Sequence, residues 1–225
     1  MTQAQALPRS LAREATHRTR HGLREVLGAQ AWARLPEAVR ERFDETAAAV
    51  TYAGAYEVVR ASLVGRLFAW LGVLFGMPVT PRVGAAVAAR VRVEPNARGV
   101  VWTREYEWAD GTTDLVRSTK VVEGRELIEC LPARLNMPLD VYEEHGALHF
   151  VSRGYYFFIP FGDPGFGGAG AGLKLRLPGV FSPGVTHVEH VDLGHGWFRF
   201  TMTVTHPLFG EMLFQTGRFC AAEES

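Results

Sequence analysis

His187, Glu189, His190, Asp192 and His195 stand within one short run and have the side-chain types of a metal site. Their spacing argues otherwise. The run VTHVEHVDL reads as a β-strand, whose successive side chains point to opposite faces. His187 and His190 therefore diverge and cannot share an ion. His187 with Glu189, or His190 with Asp192, makes a same-face pair of two ligands at most, and no metal is expected. A second motif, Gly165-Phe-Gly167-Gly-Ala-Gly170, matches G-x-G-x-x-G after the strand-like YYFFI. Phosphate cradling needs a helix that opens straight after the glycines. Only LKLRL follows before Pro178, with no βαβ unit around it, so no nucleotide cofactor is expected. The loop from Phe161 to Gly172 reads either as a lid with glycine hinges or as a long surface loop. G-x-S-x-G, H-E-x-x-H and Cys/His dyad spacings do not occur.

What remains is a set of polar residues on aromatic strand faces. In VVWTREYEWA, Trp102, Tyr106 and Trp108 share a face with Arg104. In GALHFVSRGYYFF, Leu148, Phe150, Tyr156 and Phe158 share a face with Ser152. In WFRFTMTVTHP, Phe198, Phe200, Met202 and Val204 oppose Arg199, Thr201, Thr203 and Thr205. A few polar groups on an aromatic inner wall suit a barrel holding a small amphipathic ligand. They equally suit arginine stems packed along the sheet with their heads in water. The ligand-binding candidates are Trp102, Arg104, Tyr106, Ser152, Tyr156 and His206. The first expectation is a non-enzymatic binding module for a lipid-like or other small apolar molecule. The alternative is an enzyme or accessory domain using Arg104, Glu105 or Glu107, His187, Glu189 and His206. Strand parity already forbids all of these from facing inward together. The carboxylate pairs Glu105/Glu107 and Glu143/Glu144 read as solvated strand faces.

The elements that must position these groups are mostly strands. From Gly84 onward about nine strand-like runs follow one another. They are joined by turn signals at Pro95-Asn96, Asp110-Gly111, Glu123-Gly124, His145-Gly146, Gly194-His195-Gly196 and Phe209-Gly210. Joints this short make antiparallel hairpins, and an up-and-down order favours a curled sheet or barrel over a flat sheet with exposed edges. Before the strands lies the helical stretch Ser62 to Pro78, SLVGRLFAWLGVLFGMP, whose only charge is Arg66. Leu63, Leu67, Leu71, Leu74, Phe68, Phe75 and Trp70 form its broad apolar face; Gly65, Ala69, Gly72 and Gly76 form a stripe of small residues opposite. Such a stripe lets another backbone come very close. The helix is expected to be enclosed on both sides, or enclosed on one and set against lipid on the other. From Leu63 to Met77, at ~1.5 Å per residue, it spans about 22 Å, short of a ~30 Å hydrocarbon core. Upstream, AWARLPEAVRERFD places a helix at about Pro36 to Phe43, with Trp32, Leu35, Val39 and Phe43 at helical spacing.

Composition excludes several classes. The 225 residues allow one large domain, and 47% apolar residues are ordinary for a globular chain. Lys and Arg together number 24 against 24 Asp and Glu, so nothing in the overall charge seeks nucleic acid. Lys120 and Lys174 are the only lysines; a compositional cause explains the arginine bias as well as any function does. Cys130 and Cys220 sit in apolar runs and read as small buried hydrophobes. The N-terminus lacks an apolar signal-peptide core, and a reducing, cytoplasmic setting is expected. Residues 1 to 28, rich in arginine, read as a frayed basic arm, with an anionic membrane surface or acidic partner as the functional reading. Residues 29 to 221 then form a single domain.

The runs LPGVFSPGV and WFRFTMTVTHPLFGEMLFQTGRF, preceded by WTREYEWADGTTDLVRSTKVVEG, resemble the bacterial domain of unknown function 4166 family. LGAQAWARLPEAVRERFD and GRLFAWLGVLFGMP are similar to that family's opening, and the resemblance covers roughly residues 27 to 220. The motifs W-T-R, H-P-L-x-G and Q-x-G-x-F carry it. It implies no catalytic residues; Trp102, Arg104, His206, Pro207, Gly210 and Gly217 mark fold or site alike. It also implies a link to NAD-binding, saccharopine-dehydrogenase-like reductase domains, to which members are appended, and so a reductase partner under the alternative reading. The expected fold is α+β. N-terminal helices and one buried apolar helix pack on a curled antiparallel sheet or barrel of about eight to ten strands.

Overall fold

The computed structural model describes residues 22–44, 48–74, 79–161 and 172–222. Most of the basic arm and most of the glycine loop lie outside the described residues, so the lid reading falls there too. Three short helices come first: α1 (Leu23–Leu27), α2 (Ala29–Arg34) and α3 (Glu37–Arg42). Leu23 at the start of α1, within the stretch read as arm, is buried, as are Leu35, Val39 and Phe43.

Twelve antiparallel strands form a single sheet. They are β1 (Val50–Ala61), β2 (Gly84–Pro95), β3 (Val100–Glu107), β4 (Thr113–Glu123), β5 (Glu126–Cys130) and β6 (Leu135–Glu144). Then come β7 (Ala147–Ser152), β8 (Tyr156–Pro160), β9 (Gly172–Arg176), β10 (Val185–Gly194), β11 (Trp197–His206) and β12 (Gly210–Ala221). Ten of them close: β1 to β7 pair in sequence, β7 pairs with β10, and β12 returns to β1. Of the curled sheet or barrel expected, the barrel is the observed architecture, with β8 and β9 as a hairpin hung from β6. Two of its joints show why the chain turns where it does. His145 and Gly146 have φ of 51° and 79°, and His195 and Gly196 have φ of 53° and 78°. Two consecutive left-handed residues make the hairpin turn whose twist matches that of its strands. Ten strands enclose more than the side-chain-filled interior that about eight strands give.

The two ends of the barrel differ. The N-terminal helices plug one end, where Leu23, Leu35, Val39 and Phe43 join the barrel-lining Trp102, Phe150 and Phe198 in one core. At the other end the helix expected from Ser62 runs as α4 (Leu63–Leu74). Ser62 caps it: the Gly65 amide donates to the Ser62 hydroxyl at 3.0 Å. The Ser62 amide itself donates to the Met212 carbonyl of β12 at 3.1 Å. Gly65, Ala69 and Gly72 are buried, and a Cβ on Gly65 would stand 1.9 Å from that carbonyl oxygen. The small stripe is thus the sheet-facing side. The helix expected to be buried is covered on that side alone, because its small residues and not its large ones meet the sheet: Leu63 is 84% and Trp70 61% exposed, with Leu67 and Leu71 also exposed. No helix of the described residues is long and apolar enough to cross a membrane.

One strand was misread. Leu148, Phe150 and Ser152 share the inner face of β7 as expected, but the run does not continue. Gly154, with φ of 103°, breaks it, and the Arg153 amide donates to the Pro138 carbonyl at 2.9 Å. Tyr155 turns into the barrel in place of Tyr156, which belongs to β8 outside the closed wall.

Candidate functional site

The interior is divided at Trp102, Lys120 and Phe150. These three residues border both a chamber of about 50 Å³ above the N-terminal helices and one of about 60 Å³ toward the α4 end. The polar groups of the second chamber come from separate strands. Arg104 and Tyr106 stand on β3, Lys120 on β4, Glu129 on β5, His190 on β10 and Gln215 on β12. Each points inward because it shares parity with its strand's apolar residues: Trp102 with Arg104, Val116 with Lys120, Leu127 with Glu129.

Two cations face one carboxylate. The Lys120 ammonium lies 3.2 Å from Glu129 and 5.1 Å from the Trp102 ring centroid. Among the described residues Arg104 forms no ion pair; its one hydrogen bond there goes to the Ser118 hydroxyl at 3.5 Å. Burial lowers the Lys120 ammonium, with Glu129 opposing that shift and Arg104 adding to it. Burial by itself would raise the Glu129 carboxyl. Lys120, Arg104 and the Ser118 hydroxyl outweigh it and hold the group below its ordinary value, so it is ionised.

His190 sits deeper. Its ring is edged by Phe43 at 4.9 Å and Phe200 at 5.3 Å between centroids, and its Nδ1 has no partner among the described residues. Burial holds the imidazole well below its usual value, and Arg42, Lys120 and Arg104 reinforce this, so the ring is neutral. The remaining polar groups of the wall are mostly hydroxyls. Tyr56 and Tyr106 stack at 4.9 Å, and the Tyr106 hydroxyl donates to the Gln215 carbonyl oxygen at 3.3 Å. Across the chamber the Tyr155 and Thr186 hydroxyls lie 2.9 Å apart. Burial pushes the Tyr155 phenol up to about 12, so it stays a donor.

The site therefore contains three of the six sequence candidates: Trp102, Arg104 and Tyr106. Ser152 lies at its edge, where its hydroxyl accepts the Thr186 amide at 2.8 Å. Tyr156 is outside, under the Lys174 ammonium at 5.0 Å. His206 is buried beneath α4 between Phe209 at 4.7 Å and Phe68 at 6.1 Å, and its Nδ1 accepts the Leu208 amide. The residues of the enzyme alternative do not converge. Glu105 and Glu107 are exposed on the outer wall. His187 and Glu189 are also on the outer parity of β10, with His187 3.0 Å from His149. Lys120, Glu129, His190 and Gln215 were missed. Their one sequence signal was strand parity, which for β10 put His190 and Asp192 on one face without saying which way it pointed.

Comparison with known proteins gives a family and nothing finer. The model for the domain of unknown function (DUF4166) matches residues 35–219, and the chain belongs to that family. No curated protein and no solved structure matches the chain.

Proposed function

Taking membership of a family whose description names no activity as the premise, we propose that this domain is a binding module for a small amphipathic anion. The carboxylate or similar head group sits between Arg104 and Lys120, and the apolar part lies toward the mouth beside Leu131, Pro183, Met202 and Val204. The observation that carries this is the unmatched charge. A guanidinium and an ammonium share the single carboxylate of Glu129 inside an aromatic wall. A charge taken out of water is stable only when paired and hydrogen-bonded, and an anion forked onto Arg104 supplies the missing partner. The size of the chamber sets the pose. About 60 Å³ holds a head group or a few waters, so a longer tail extends through the mouth. The two free thiols suit a reducing, cytoplasmic setting. The groups that the enzyme reading named do not meet in the cavity; it gathers Lys120, Glu129 and His190 instead, and the surplus of cation over carboxylate favours binding of an anion.

Calorimetric titration with decanoate and decanol tests the reading. Decanoate should bind saturably and at least about tenfold tighter than decanol, the worth of a hydrogen bond to a charged group. Arg104→Met should erase that preference. Equal affinity for the two, or saturable binding of neither, overturns it.

A further inference from the structure

We propose that the α4 end of the barrel docks on the surface of a bilayer that contains anionic phospholipid. The outward face of α4 and the turn after β11 do the docking. This stands apart from the ligand reading, because it rests on the outside of the molecule.

The first observation is the inversion of α4. A helix on a protein surface ordinarily turns its large apolar side chains to the core and its polar ones to water. Here Gly65, Ala69 and Gly72 face the sheet, while Leu63, Leu67, Trp70 and Leu71 face out. The turn at Pro207–Phe209 continues the patch: Leu208 is 67% exposed, and Phe209 lies 6.5 Å from Phe68 of α4. The β8–β9 hairpin projects past the same rim, since Phe157 already pairs with Leu135, the first residue of β6. It carries exposed Phe161 and Leu173 beyond that point. Exposed apolar side chains of this kind on α4 and the adjoining turn mark an interaction surface.

Charge and area select the occupant. Arg66 is the only charged residue of α4 and is exposed, and Lys174 on the hairpin is a second exposed cation. Glu211, the acid beside Met212, is engaged by Arg60 at 2.9 and 3.2 Å. Beside α4, then, exposed apolar side chains stand with the cation Arg66, a combination that anionic lipid head groups attract. A second copy fits worse. A two-fold contact through α4 would find no acid on that helix to pair with Arg66. The outward half of α4 alone, about 18 Å long and ~10 Å wide, is roughly 280 Å², so a dimer would have to draw in much more of the surface to reach ~800 Å² per partner. A bilayer sets no such minimum. Pro183 and Val204, which lie toward this end of the barrel, line the chamber.

Vesicle flotation of the full chain decides the matter. With phosphatidylcholine vesicles containing about a third phosphatidylglycerol the protein should float, and it should float less with phosphatidylcholine alone. Leu67→Glu with Trp70→Glu, both exposed, should cut the bound fraction at least about tenfold on either vesicle. The melting temperature should not change. Arg66→Glu, which alters charge alone, should weaken flotation on the anionic vesicles only. That variant decides the question if the double one fails to fold. Absence of flotation by the wild type overturns the proposal. So does undiminished flotation of the double variant, which would place binding elsewhere, for example in residues 1–21. A wild-type dimer that the double variant dissociates, without flotation, assigns the face to a second copy instead.

Discussion

Gly65→Val should lower the melting temperature by roughly 6–12 °C. The added Cβ would stand 1.9 Å from the Met212 carbonyl oxygen, 2.7 Å from its carbon and 3.1 Å from its Cα. All three are backbone atoms of β12, so no side-chain rotamer relieves the contact. The oxygen already accepts the Ser62 amide that caps α4, and pushing the helix away breaks that bond as well. Overpacking of this kind costs ~1–3 kcal/mol, and a backbone clash lies at or above the top of that range. For a domain of this size ~3 kcal/mol corresponds to the stated shift. Trp70→Ala on the exposed side of the same helix should leave the melt unchanged. Differential scanning calorimetry of the two variants checks the orientation of α4, and an unshifted Gly65→Val melt would contradict it.

Glu129→Gln should be at least as damaging. It leaves Lys120 and Arg104 inside the barrel with no carboxylate, and breaking one side of a buried pair costs ~3–5 kcal/mol. The loss comes from the stranded charges more than from the bond itself. Lys120→Met added to Glu129→Gln should therefore recover much of the stability, because one stranded ammonium is gone. Urea denaturation of the two single variants and the double gives the coupling energy directly. Losses that simply add would show that the 3.2 Å pair does not act as a unit.

Such pairs show where a sequence can and cannot be read. Alternation within one strand is local, so the inward side of β3, with Trp102, Arg104 and Tyr106, was legible. The His145-Gly146 and His195-Gly196 turns carried the hairpin order, which favoured a curled sheet or barrel, while closure depends on β12 returning to β1. Lys120 and Glu129 were illegible as partners, because their meeting depends on the pairing of Lys120 with Glu129 across β4 and β5. His190 meets Phe43 only because α3 plugs the barrel. Parity counting also fails wherever a strand stops being regular. The break at Gly154 moved Tyr155 inward and Tyr156 out, and the register shift after Val204 comes just before His206. For α4, the two faces were legible but not which of them met the sheet. The contact of Gly65 with a backbone carbonyl, which no side-chain pattern reports, decides it.

Native mass spectrometry of the purified full chain, followed by solvent extraction, tests the central claim most directly. The account predicts one amphipathic anion per chain bound to the wild type and lost from Arg104→Met. Recovery of an uncharged molecule, or an equal yield from the two proteins, would contradict it.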